Sequence, residues 1–214
     1  MAKLGMPSVI ISFKEAGIAA IERSQRGIVF LILEEEQEVI DKLTVNTSAI
    51  CGKAITGQAI TGNIEKQEII ENPFVIYTTD DIPSELSENN KDYITKCLLG
   101  YVTAPYRVKV YLQAKGKTGA DKWQESLKKI AAERWDYLAI PTIEEEQLET
   151  VGTWIKTNRE NKYKKVKAVL PGYDGDYEGI INFSNKTTKT ATKTYTPAEY
   201  TARIMVFNRT EPMK

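Results

Sequence analysis

Apolar and polar positions follow two different rhythms at the start of this chain. Pro7-Ser8-Val9-Ile10-Ile11-Ser12-Phe13 alternates, placing Val9, Ile11 and Phe13 on one face of a strand and Ser8, Ile10 and Ser12 on the other. A small-residue run, Ala16 to Ile21, and a charged turn, Glu22 to Gly27, then lead into Ile28-Val29-Phe30-Leu31-Ile32-Leu33. An unbroken apolar run of this kind is expected of a strand covered on both faces of a sheet. The terminal strand has no hairpin partner nearby. It must join its own sheet over a distance or add to the sheet edge of another molecule.

After Leu33 the acidic patch Glu34-Glu35-Glu36-Gln37-Glu38 reads as a solvated strand exit. Thr44 to Ile70 is rich in Thr, Ile, Ala and Gly and holds the near-duplicates Ala54-Ile55-Thr56-Gly57 and Ala59-Ile60-Thr61-Gly62. β-Branched residues punctuated by glycine predict short strands or a hairpin inserted between the first core strand and the rest.

From Pro73 onward strand and helix patterns alternate. Phe74–Thr78 predicts a strand, and a helix capped by Ser87 carries Tyr93, Ile94, Cys97 and Leu98 on one face and ends at Gly100. Arg107–Gln113 alternates as a strand, and Asp121 is placed to cap a helix bearing Trp123, Leu127, Ile130 and Ala131. Asp136–Pro141 is another strand, and Thr142-Ile143-Glu144-Glu145 reads as a capping box before a helix with Leu148, Val151 and Ile155 buried. Lys165–Pro171 and Gly179–Ser184 are strands, Asn185–Thr194 is an exposed loop or ribbon, and Thr196-Pro197-Ala198-Glu199 starts a final helix. This order predicts an α/β fold: an open, mainly parallel sheet with flanking helices, an extended N-terminal β-arm and a β-rich insert.

Composition narrows the function. The 214 residues include 29 Lys plus Arg against 29 Asp plus Glu, so no global field favours nucleic acid or an acidic membrane surface. No apolar run approaches the roughly 20 residues needed to cross a bilayer. Cys51 and Cys97 form no CxxC pair and read as reduced thiols. The chain contains no histidine, which removes Ser-His-Asp and Cys-His nucleophile systems and histidine-bearing zinc sites.

The remaining chemical motifs reduce to connections. Gly116-Lys117-Thr118 lies where a phosphate loop would, but Tyr111 occupies the position of the required upstream glycine. Asp174-Gly175-Asp176-Tyr177-Glu178-Gly179 resembles the start of a calcium loop, yet its twelfth position is Asn185 and a strand occupies its second half. Asp80 and Asp81 precede Pro83 as turn formers, and Trp123, Trp135 and Trp154 read as core or interface residues. No catalytic residue, metal site or cofactor is assigned.

Taken in order, several segments resemble the contractile tail sheath proteins of bacteriophages and phage-tail-like bacteriocins: Pro7–Glu15, Glu22–Ile28, Asp81-Ile82-Pro83 with Asn90–Ile94, Tyr137–Pro141, Lys165–Pro171, Glu178–Phe183 and Tyr200–Ile204. The resemblance implies a non-enzymatic virion structural protein in which subunits stack around a tail tube above a baseplate. Its partners would be other sheath subunits, the tube and the baseplate, with no nucleic acid or membrane. It would reside in the tail, or in the host cytoplasm during assembly. In that family terminal arms donate strands to neighbouring subunits, a role that falls here on Pro7, Ser8, Val9, Ile10, Ile11, Ser12 and Phe13. The implied organisation is an arm at 1–27, an α/β sheath-like domain at 28–207 with the insert at about 41–72, and a tail at 208–214. The resemblance implies a further large C-terminal portion, so the expectation is a truncated sheath that cannot build a full sleeve alone. Two other readings compete: a small α/β ligand-binding module or enzyme with its site at the C-terminal strand edges, and an accessory protein that donates only its N-terminal strand.

Overall fold

The computed structural model describes residues 27–44, 70–99, 104–189 and 193–204. Strand β1 (Ile28–Glu35) lies at the middle of a six-stranded sheet. It pairs along its full length with β3 (Arg107–Ala114) and, over Val29–Leu31, with β4 (Tyr137–Ala139), both in parallel. Beyond these lie β2 (Phe74–Ile76), antiparallel to β3, and on the other side β5 (Lys167–Pro171) and β6 (Ile180–Phe183). The order β2-β3-β1-β4-β5-β6 is a doubly wound sheet that reverses direction at β1, with one antiparallel edge strand. This is the mainly parallel α/β fold that the alternation of patterns implied.

Coverage of both sheet faces explains why β1 is apolar at every position from Ile28 to Leu33. Its odd and even residues enter two separate cores. Val29, Leu31 and Leu33 pack with Ile40 and Leu43 of α1 (Gln37–Thr44) and with Tyr93, Ile94 and Cys97 of α2 (Glu88–Leu99). Ile28, Phe30 and Ile32 pack with Leu127 and Ile130 of α3 (Gln124–Ile130) and with Leu148, Val151 and Ile155 of α4 (Glu145–Glu160). Trp123 and Trp135 are buried in this second core, and Trp135 stacks on Trp154 at 5.9 Å. Cys97 is buried, and burial pushes its thiol pKa up.

Several boundaries differ from the sequence reading. Residues 41–44, assigned to the β-rich insert, close helix α1, while 45–69, including Cys51, lie outside the described residues. β3 is not a one-faced alternating strand: Val108, Lys109, Val110, Leu112 and Gln113 are all buried, because helices cover both sides. Asp121 does not cap α3; its carbonyl accepts from Gln124 in a preceding turn (2.9 Å), and the helix starts three residues later. The capping box also shifts: Glu144, not Thr142, precedes α4, and the Gln147 side chain reaches back to the Glu144 amide (3.1 Å). On β3, the Asn72 side chain adds a further rung beside β2, donating to the Leu112 carbonyl (2.8 Å) and accepting from its amide (3.0 Å).

The connection from β5 to β6 is short for parallel neighbours, which usually need a dozen or more residues and a helix. Residues 172–179 cross the face with no helix, and Tyr173 is buried in the second core in place of one. Gly172 at φ 65 turns the chain, and the Tyr173 ring lies where a side chain on Gly152 of α4 would stand. Lys156 sits over both Tyr173 and Tyr177, at 5.6 and 5.7 Å, and fastens the connection to the helix. The former calcium-loop candidate is this connection.

A Cβ on Gly152 would approach the Tyr173 ring to 2.7 Å. Helix propensity alone favours Gly→Ala by about 1 kcal/mol. Overpacking against a rigid ring reverses the sign, so Gly152→Ala should lower stability by about 1–3 kcal/mol in urea denaturation. A stabilised variant would show that the Tyr173 packing is wrong.

Candidate functional site

Open α/β sheets bind ligands outside the C-terminal strand ends where the strand order reverses, here beside β1 and β4. That crevice is internally braced. Glu34, expected to be solvated, is the penultimate residue of β1 and pairs with Lys122 at 3.0 Å, both side chains being largely buried. The Lys122 ammonium also stands 5.0 Å from the Trp123 ring centroid and 3.9 Å from Glu144. The Trp123 indole donates to Gln147 Oε1 (2.9 Å), tying the start of α3 to the start of α4. Ser126 donates to Gln113 nearby. Among the described residues no group of three metal-binding side chains occurs. The cation, carboxylates, amide and indole here bind one another, and none forms a nucleophile–base pair.

Glu35 departs furthest from the acidic-patch reading. It is buried, and its carboxylate accepts from the Ser87 amide (2.9 Å), the Asn90 side chain (2.9 Å) and the Glu36 amide (3.1 Å). Asn90 also donates to the Glu34 carbonyl (2.9 Å), so the start of α2 is fastened to the end of β1. Burial alone would raise the Glu35 pKa, but these donors together outweigh it and hold the carboxyl below its ordinary range. Ser87 and Asn90 come from over fifty residues away, which the local sequence does not signal.

A second polar seam fixes the last described elements. β7 (Thr188–Lys189) and β8 (Thr194–Tyr195) form the expected ribbon, and α5 (Pro197–Ile204) follows. Its capping box is reciprocal: the Glu199 amide donates to Thr196 Oγ1 (3.3 Å), and Thr196 donates its amide to Glu199 Oε2 (2.8 Å). Glu199 also accepts from Tyr93 of α2 (2.7 Å), and Tyr195 donates to Asp92 (2.8 Å). Lys193 lies over both rings, 5.5 Å from Tyr93 and 5.0 Å from Tyr195. Burial first, then the neighbouring Glu199, raises the Tyr93 pKa.

The other motif residues take the plain roles read for them. Gly116 and Gly119, at φ 98 and 88, form a turn in which Lys117 pairs with Glu125. Asp81 accepts from the amides of Thr78 (2.8 Å) and Tyr77 (2.9 Å), as a turn former does. The strand-donor residues Pro7, Ser8, Val9, Ile10, Ile11, Ser12 and Phe13 lie outside the described residues. No helix among the described residues is long and apolar enough to cross a membrane.

The geometry thus defines a doubly wound α/β unit in which Glu34, Lys122, Trp123 and Gln147 bind one another, while the Nε2 atoms of Gln113 and Gln147 are buried without an acceptor among the described residues. Residues 116–205 match the phage tail sheath protein central domain. The tail sheath protein of Clostridium phage phiCD119 is 28% identical over 204 residues, covering 94% of this chain and 47% of that protein. The phage-like element PBSX protein XkdK of Bacillus subtilis is 30% identical over 124 residues, covering 54% of this chain and 25% of that protein. The crystal structure of a sheath tail protein from Desulfitobacterium hafniense overlaps 49% of this chain and 26% of its own at a TM-score of 0.39 and 23% identity. By sequence the chain is similar to phage tail sheath proteins over most of its length, as its ordered segments implied. It spans about half the length of the phiCD119 protein.

Glu35 predicts a pH signature. Its folded pKa lies below its ordinary value of 4.5, so the unfolded chain binds the extra proton. The contribution is fully present above the unfolded pKa and is lost as pH falls through the folded one. Glu35→Gln should cost about 1.5–3 kcal/mol at pH 7, because its acceptor bonds are charge-assisted. Denaturation curves of the two proteins should converge below pH 4.5; a pH-independent difference would contradict the assignment. At the second seam, Tyr93→Phe should cost about 1–2 kcal/mol and speed amide exchange in α5. Unchanged exchange would show that α5 is held by other contacts.

Proposed function

We propose that this chain is a structural subunit of a contractile tail and packs with other sheath subunits around a tail tube above a baseplate. The observation that carries this reading is the similarity to a tail sheath protein across 94% of the chain. Assembly proceeds through Pro7–Phe13, which adds as a strand to a neighbouring subunit and presents Val9, Ile11 and Phe13 on one face. The protein gathers in the host cytoplasm and ends in the tail. Its catalytic contribution is none. Mutual pairing of Glu34, Lys122, Trp123 and Gln147 supports this reading over a small-molecule site at the C-terminal strand ends.

A tagged chain expressed in the cell that carries the matching tail genes should sediment with tail particles. Deleting residues 1–13 should move it to the soluble fraction with an unchanged melting temperature. Sedimentation that survives the deletion would overturn strand donation by Pro7–Phe13. An intact chain that never sediments with tails would overturn the sheath assignment itself.

A further inference from the structure

The chain has no net charge, yet one helical layer of the described unit does not spread its charges evenly. Helices α3 and α4 both cross back between parallel strands, so their first turns share one end of the sheet and their last turns the other. The 16 residues of α4 set these ends about 24 Å apart. Past the last turns, the loop leaving α4 exposes Lys162, Tyr163 and Lys165, and the loop leaving α3 exposes Arg134. The Lys164 ammonium donates to the Ala131 carbonyl, which holds the two loops together. Lys162, Lys165 and Arg134 enter no salt bridge among the described residues, and the acids nearby are committed. Glu133 pairs with Lys109, Asp136 accepts from the Ile28 amide, and Glu160 faces Lys156 one turn back on α4.

The opposite end has the opposite sign. Glu145 and Glu146 are exposed in the first turn of α4, while Lys122 is taken by Glu34 and Lys117 by Glu125. Acids in a first turn also complement the helix dipole, so they define no surface by themselves. Tyr163 marks the contact. The Lys164 amide donates to the Asn158 carbonyl at 3.1 Å, a Schellman closure that puts Tyr163 in the left-handed position at φ 53. Glycine is the usual residue there, and a bulky side chain is strained. Nothing inside the unit offsets that strain through the ring, which at 87% is the most exposed large apolar side chain among the described residues. An aromatic anchor flanked by cations has the composition of an interface centre.

We propose that this basic, aromatic end docks head to tail on the acidic first turn of α4 in a second copy of the chain. The Tyr163 hydroxyl and the Lys162 and Lys165 ammonium groups donate to the Glu145 and Glu146 carboxylates of that copy. Charge complementarity selects the occupant, because each copy offers a donor surface at one end of the layer and an acceptor surface at the other. Such a heterologous contact leaves one end of each kind free and therefore propagates. It deepens the subunit packing proposed above and rests on that reading for its setting, but it does not use Pro7–Phe13.

Sedimentation velocity of the purified full-length chain over a concentration series tests the contact. Association should appear at low salt and weaken as ionic strength rises from about 0.05 to about 0.5 M. Lys162→Glu with Lys165→Glu should abolish it, as should Glu145→Lys with Glu146→Lys. Mixing the two double variants should restore it, since each then supplies the sign the other lacks. Tyr163→Gly should weaken association about tenfold without lowering the melting temperature, because glycine relieves the left-handed turn. A chain that stays monomeric at low salt, or a mixture of folded double variants that stays dissociated, would overturn the proposal. Association that survives both reversals but is lost on deleting residues 1–13 would also overturn it, and would leave strand donation by Pro7–Phe13 standing.

Discussion

The burial of β1 on both faces and both edges is the constraint from which the rest of this structure follows. One strand supplies Val29, Leu31 and Leu33 to one core and Ile28, Phe30 and Ile32 to the other. Each such side chain is worth about 1.5–3 kcal/mol when removed from water. Neither helical layer could form its core without it, and the sheet reverses direction around it. The Ile28 ends of β1 and β4 are joined by side chain as well as ladder: the Ile28 amide donates to the Asp136 carboxylate at 2.7 Å, and its carbonyl accepts from the Asp136 amide at 2.9 Å.

Polar groups extend the same strand's influence. Where β1 leaves the apolar interior, Glu34 and Glu35 turn to opposite layers. Glu34 holds Lys122 beside the α3–α4 corner, and Glu35 receives the start of α2. Two adjacent acidic residues therefore brace helices on both faces of the sheet. Removing one member of such a buried pair strands its partner, so these groups specify geometry more than they add net stability. The Tyr93–Glu199 and Tyr195–Asp92 bonds play the corresponding part for the ribbon and α5.

What the sequence revealed depended on how local the cause was. The apolar run 28–33 announces a covered strand because burial on two faces removes alternation. Thr196-Pro197-Ala198-Glu199 announces a helix start because both cap partners lie within four residues, and the structure has both bonds. Glu34 and Glu35 were illegible for the opposite reason: their partners arrive from residues 87–90 and 122 through the tertiary fold. The shifted cap at α4 has a similar origin. Gln147 serves Trp123 as well as Glu144, and that double demand selects Glu144 over Thr142 as the first helical boundary. β3 hid its second buried face because Lys109 and Gln113 look polar, yet Lys109 pairs with Glu133 and Gln113 Oε1 accepts from Ser126 across the fold.

The role proposed for this chain is that of a subunit in a tail wall. Cryo-electron microscopy of tails purified from cells expressing the chain tests this most directly. Wall density repeated in rings around a tube is expected to fit the sheet order β2-β3-β1-β4-β5-β6 with α3 and α4 on one face and α1, α2 and α5 on the other. A tail wall resolved at side-chain level that contains no copy of this sheet would contradict it.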